Sequence, residues 1–169
     1  MEENYHISFP ENETLPRDKE YFFVESGGKK EKIRFQDYNR IYAVPGLYDA
    51  LFRLLEYKTP DTICGLLGKT LENLSLNPFE LCVFEPGAGA GIIGEHLRNM
   101  GIIRLNGLDI LESAREAAQR DKPGFYEAYY VADLTELPDE IDSELKKKTY
   151  QLRGYRVGER GEPYSGGGA

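Results

Sequence analysis

Leu81-Cys82-Val83-Phe84-Glu85-Pro86-Gly87-Ala88-Gly89-Ala90-Gly91 is the stretch that decides the fold: a short apolar run ends in a carboxylate and breaks into glycines alternating with small residues. Four apolar residues in a row suit a strand covered on both faces, as in a parallel sheet. The turn needs glycine because its backbone takes conformations a Cβ forbids, and because something must approach the main chain closely. A helix over 91–100 is predicted to follow, with the amides of its first turn pointing at that ligand.

Downstream, Met100-Gly101 stops the helix, and Ile102 to Leu108 supplies a second apolar run ending at Asp109. Leu111 to Arg120 is rich in helix formers and ends at Lys122-Pro123-Gly124. Tyr126 to Ala132 gives a third strand-like run ending at Asp133, followed by Leu134. Strand, helix, strand, helix, strand, joined by right-handed crossovers, makes a layered α/β fold around a parallel sheet. Each strand ends in an acid, Glu85, Asp109 or Asp133, and ligands of open parallel sheets sit at the carboxyl ends of strands. The three carboxylates are therefore expected to face one crevice.

Upstream, residues 1 to about 18 are polar, carry Pro10 and Pro16, show no periodicity and read as a mobile arm. Tyr21 to Ser26 and Lys29 to Phe35 around Gly27-Gly28 read as a hairpin that must pack on the main domain. The segment 36–80 reads as a lid and leading helices. It opens with the tyrosine-dense run Gln36 to Asp49, whose rings either cover a flat ligand or seal the edge of the core. Leu47, Leu51, Leu54 and Leu55 recur at helical spacing. A further helix is expected near Pro60, with Thr59 as its cap and an apolar face of Ile63, Leu66, Leu67, Leu71 and Leu74.

The 169 residues suit one domain, and 21 basic against 29 acidic side chains leave a net charge of −8, which argues against a general nucleic-acid surface. The two cysteines, Cys64 and Cys82, lie in apolar stretches and point to a reduced, intracellular setting: the cytoplasm by default, with the nucleus open. There is no apolar run of about 18 residues and no basic-then-apolar leader, so neither a membrane span nor a secretory signal is expected. No metal site is expected either.

The glycine turn fits two templates. Gly89-Ala90-Gly91-Ile92-Ile93-Gly94, with Asp109 twenty residues after Gly89, satisfies a dinucleotide-binding fingerprint, although Glu85-Pro86-Gly87 intervenes between strand and first glycine. The second template, acid-x-Gly-x-Gly-x-Gly, is met in full by Glu85, Gly87, Gly89 and Gly91. On these residues the stretch 81–138 resembles the cofactor-binding half of class I S-adenosylmethionine-dependent methyltransferases. The resemblance implies that Glu85 helps hold the cofactor's amino group, directly or through water, while the backbone of Gly87 to Gly91 lies against its amino-acid part. It further implies that Asp109 accepts both ribose hydroxyls, Ile110 and Leu134 sandwich adenine, and Asp133 takes the adenine amine. Tyr42 and Tyr48 correspond to lid residues. An ammonium, a vicinal diol and an amine are all donors, and ionised carboxylates are acceptor-only, so the set is chemically matched.

The resemblance implies a Rossmann-like, doubly wound sheet, which here is incomplete after its third strand. After the helix-like 139–148, residues 149–169 read as a disordered tail with no apolar fourth strand. Read one nucleotide later from Gln151, degenerate codons permit Asn or Ser followed by Cys-Val-Val-Thr-Val, a strand pattern consistent with a frame or splice artefact. The exposed sheet edge calls for a partner chain. The expected function is methyl transfer from S-adenosylmethionine to an unidentified acceptor, by a truncated or inactive form and with no catalytic residue identified. The alternatives are a Rossmann oxidoreductase domain binding NAD(P) or FAD, and a non-catalytic cofactor-binding module.

Overall fold

The computed structural model describes residues 5–11 and 15–150. The N-terminal sheet is antiparallel, with β1 (His6–Ser8), β2 (Tyr21–Ser26) and β3 (Lys29–Arg34) in that order. The Gly27-Gly28 turn has φ of 57° and 75°, the positive pair a two-residue hairpin requires. Phe22 pairs with Ile33 and Val24 with Ile7, and all four are buried. They form one core with Ile41 of α1 (Tyr38–Ala43) and Leu47, Ala50 and Leu51 of α2 (Leu47–Leu54), so the hairpin packs on the domain as its marginal isolated stability demands. On the opposite face of β2 the rings of Tyr21 and Phe23 lie under the ammonium groups of Lys32 and Lys30. Residues 6–8, read from the sequence as part of a mobile arm, instead form β1. One buried residue, Ile7, is too short a pattern for periodicity to register.

The next helix, α3, runs Thr59–Asn73 with Pro60 in its first turn. Thr59 is its first residue and not its cap; the cap position is Lys58, which makes no side-chain cap bond. Its expected apolar face is only partly used. Cys64 and Leu71 are buried, whereas Ile63, Leu66 and Leu74 are 46%, 61% and 57% exposed. The helix packs through Cys64 and Leu67 on α4 (Ile92–Asn99), whose Leu97 joins Ile102 and Leu105 in a shared cluster.

The second sheet is parallel: β4 (Cys82–Pro86), β5 (Arg104–Asp109) and β6 (Ala128–Val131), in the order β4-β5-β6. With α4, α5 (Glu112–Asp121) and α6 (Asp139–Tyr150) it gives the alternation read from the sequence, and the fold is α/β with one parallel and one antiparallel three-stranded sheet. The strand covered on both faces is β5, buried from Leu105 through Leu108. Residues 81–84, expected to be that strand, are only half-buried. The reason is positional: among the described residues β4 has a single hydrogen-bonded neighbour and β5 has two.

Successive residues of a strand point to opposite faces. Leu105 faces α3 and α4, so Asn106 faces the other way, where Lys148 of α6 donates to its Oδ1 at 2.9 Å and to the Tyr130 hydroxyl at 3.1 Å. Helices therefore cover both faces. The tail read as disordered lies outside the described residues from 151 on, and 149–150 complete α6. Among the described residues no helix is long and apolar enough to cross a membrane.

Asn106 is 1% exposed and also donates to the Cys82 sulfur at 3.5 Å. Replacing it with Leu keeps the branched shape and removes one of Lys148's acceptors, with an expected loss of about 1 kcal/mol. Hydrogen exchange should speed up in α6 and not in α4; unchanged protection of α6 would show that this bond does not hold it.

Candidate functional site

The turn after β4 alternates positive φ: 70° at Gly87, 55° at Gly89 and 87° at Gly91. A Cβ at Gly87 would meet nothing, so backbone conformation alone demands glycine there. At Gly89 room matters as well, because a Cβ would sit 2.7 Å from the Tyr42 hydroxyl. The turn is tied to the sheet by the Ala88 amide donating to the Leu108 carbonyl at 2.9 Å.

Asp109 clamps this turn. Its Oδ2 accepts from the Gly89 amide and its Oδ1 from the Leu111 amide, each at 3.0 Å, joining the glycine turn to the start of α5. An ionised carboxylate has about four acceptor positions, so about two stay available at the strand end. Glu85 pairs in register with Gly107, two residues before Asp109. Strand alternation therefore places both side chains on the same face of the sheet.

Glu85 itself is 8% exposed. The Tyr126 hydroxyl donates to its Oε2 at 2.9 Å, and the Gly94 amide in the first turn of α4 donates to the same carboxylate. Burial pushes its pKa up to about 7, against the opposing pull of these two bonds. Tyr126 reaches it through a slot made by glycines on three elements. A Cβ on Gly94 would run into the Tyr126 hydroxyl, with Cζ 2.8 Å away; one on Gly107 would lie 2.9 Å from the ring, and one on Gly91 3.1 Å from its hydroxyl.

More tyrosines close the turn. The Tyr129 hydroxyl donates to the Gly89 carbonyl at 2.7 Å. Tyr42 is buried and packs on Tyr48 with ring centroids 5.1 Å apart, and both hydroxyls lie against Gly89. Burial raises the Tyr42, Tyr126 and Tyr129 hydroxyls far above their ordinary range, so they act as neutral hydrogen-bonding groups. Lys122 is 5% exposed and contacts the carboxylates of Asp49 on α2 and, at 3.3 Å, Glu95 on α4.

The structure thus brings Glu85, Gly87, Gly89, Gly91, Asp109, Tyr42 and Tyr48 to one place. Asp133 stands on the surface, where its Oδ1 accepts from the amide and hydroxyl of Thr135 at 2.8 and 2.7 Å. Those bonds hold its carboxyl below the usual range. Ile110 and Leu134, 63% and 49% exposed, are apolar side chains left in solvent just past β5 and β6. Sequence reasoning missed Tyr126, Tyr129 and Lys122. The signal was present in Gly94 and Gly107, since glycine inside a helix or strand marks a close approach. For Lys122 there was none, because its partners lie far along the chain.

Among the described residues no group of three or more His, Cys, Asp or Glu could hold a metal ion. Comparison with family models, curated proteins and solved structures returned no match.

Because Glu85 titrates near 7 in the fold and near 4.5 when exposed, the folded state binds the extra proton between those values. Stability should fall as pH rises through that window, by roughly 3 kcal/mol in full. Glu85→Gln retains an acceptor for Tyr126 and should unfold at higher urea than the wild type above pH 7, matching it at acid pH. A wild-type stability that is flat across the window would contradict the assignment.

Proposed function

We propose that the chain is the cofactor-binding part of an S-adenosylmethionine-dependent methyltransferase, built on a Rossmann-like sheet. The observation that carries this reading is the Asp109 clamp: an acceptor-only group fixed on the glycine turn, with lone pairs remaining and the exposed Ile110 beside it. A ribose diol, two donors next to an apolar base, matches that combination. Glu85, on the same face, would help hold the ligand's ammonium, with the backbone of Gly87 to Gly91 against its amino-acid part. Ile110 and Leu134 would flank adenine and Asp133 its amine. Tyr42 and Tyr48, already resting on Gly89, would act as the lid.

Bound there, S-adenosylmethionine supplies an activated methyl group. The contribution of the protein would be orientation: the braced turn fixes the ligand's two ends so that an acceptor meets the methyl in line. The acceptor is unidentified, and the edge of β4 opposite β5, which has no strand beside it among the described residues, is where a further strand or partner chain would add. A nicotinamide or flavin dinucleotide is served less well. The N-terminus of α4 meets the carboxylate of Glu85, and the neighbouring Lys122 is shared by two carboxylates, so a pyrophosphate lacks countercharge.

Calorimetry with S-adenosylhomocysteine should show binding that Asp109→Ala weakens at least about tenfold, the value of one charge-assisted bond. An ammonium beside Glu85 favours its ionised form, so affinity should rise as pH passes upward through about 7. Tyr126→Phe removes a donor to the carboxylate and should move that rise to higher pH. Tighter binding of NADH than of S-adenosylhomocysteine would overturn the reading.

A further inference from the structure

The apolar residues of α3 form two stripes. Cys64, Leu67 and Leu71 turn inward, whereas Ile63, Leu66 and, at the cap, Leu74 stay exposed with Thr70 among them, a row without a charge. Ile63, Leu66 and Thr70 each come one position before an inward residue, which is about 100° back around the helix.

The handedness of the fold decides where the exposed stripe points. Right-handed crossovers place α4 and α5 on one face of the parallel sheet. In that layer α3 lies beside α4: Cys64 packs with Leu97, and Leu67, Leu81 and Val83 adjoin the same cluster. Because α5 lies over β5 and β6, α3 stands at the other end of the layer, past β4. Asp61 is 3.6 Å from His96, and Gly68 lies next to the Met100 side chain, so α3 runs parallel to α4 and antiparallel to β4. For a right-handed helix in that place and direction, 100° back from the inward face turns away from α4 and down toward the plane of the sheet. The stripe therefore overhangs the free edge of β4.

That edge is bare. Among the described residues β4 is hydrogen-bonded to β5 alone, and residues 81–84 carry no charge. The edge strand β3 is built differently: Lys29, Lys30 and Lys32 lie on it, and the Arg40 guanidinium donates to the Lys32 carbonyl at 3.0 Å. Charges on an edge strand deter a further strand, and residues 81–84 have no such device. A row of unpaired main-chain groups is matched by another strand, and an uncharged stripe above it by uncharged side chains. A second β4 does not fit. Helices pack about 9 Å apart and strands about 4.8 Å, so with two such edges paired the overhanging α3 of each copy would run into α4 of the other.

We infer that the slot between α3 and β4 takes one extended, uncharged segment of a partner polypeptide, hydrogen-bonded along β4 and with its apolar row beneath Ile63, Leu66 and Leu74. The slot is separate from the glycine turn and serves this purpose whether or not that turn takes a nucleoside.

The test titrates the full chain with an acetylated, amidated peptide of alternating threonine and valine with a lysine at each end, read by calorimetry and hydrogen exchange. One peptide should bind per chain and slow exchange in β4, leaving β1 to β3 unchanged. A copy with proline at its centre, which loses a ladder donor, and a copy with glutamate in place of valine should each bind about tenfold or more weakly. Leu66→Glu, at a side chain 61% exposed that the fold does not need, should weaken the peptide by a similar factor. Ile110→Glu, at a side chain 63% exposed just past β5, should leave it unchanged. Absence of binding, equal binding of the proline copy, slowed exchange in β1 to β3 instead of β4, or binding indifferent to Leu66→Glu would each overturn the inference. So would sedimentation of the chain alone as an oligomer that Leu66→Glu dissolves, because the occupant would then be a second copy. None of these outcomes depends on S-adenosylhomocysteine, so the two proposals fail separately.

Discussion

The hydroxyl of Tyr126 on the buried carboxylate of Glu85 is the contact around which the parallel layer is built. A carboxylate so enclosed is tolerable only with donors to satisfy it, and these come from two elements: the phenol ahead of β6 and the Gly94 amide in the first turn of α4. For the ring to reach that position, the strand, the turn and the helix must all forgo side chains, which explains glycine at 91, 94 and 107 together. The spacing between α4 and the sheet follows from that one ring.

The same turn is restrained from two further directions. Asp109 holds it to the start of α5 through paired amide bonds, and Tyr129 holds its carbonyl at Gly89. Lys122, from the end of α5, reaches back to join α2 and α4 through Asp49 and Glu95. Such bracing is what a preorganised binding surface needs, since groups already fixed lose little freedom when a ligand arrives. It also explains how Glu85 can be buried here: its carboxylate, the amides of Ala88, Gly89 and Gly91 and the carbonyl of Gly89 all have partners within the fold.

Much of this was legible in the chain because local chemistry dictated it. Gly27-Gly28 required the hairpin, and the alternation of apolar runs with helix formers required parallel strands ordered in sequence. The acid-x-Gly-x-Gly-x-Gly pattern marked the turn, and the acid ending the second strand, twenty residues after Gly89, marked Asp109. What escaped was non-local. Whether residues 81–84 lie at a sheet's centre or edge depends on neighbours that a single strand's composition does not reveal. Asp133 shows the converse limit: its carboxylate, one of a set of three by position, is engaged by Thr135 two residues on, the kind of local bond to nearby backbone that Asp readily makes. Tyr126 was hidden because an aromatic residue near a strand is ordinary, and only the glycines facing it make it unusual.

The gathering of phenols at the turn gives the molecule an optical reporter of its own. The chain has no tryptophan and twelve tyrosines, and four of them, Tyr42, Tyr48, Tyr126 and Tyr129, touch the glycines there. Ultraviolet emission from this protein is therefore tyrosine emission, with no indole signal to mask it. The phenol of Tyr126 donates to a carboxylate, an arrangement that quenches such light, so any event that parts the pair should brighten the spectrum without a label being attached.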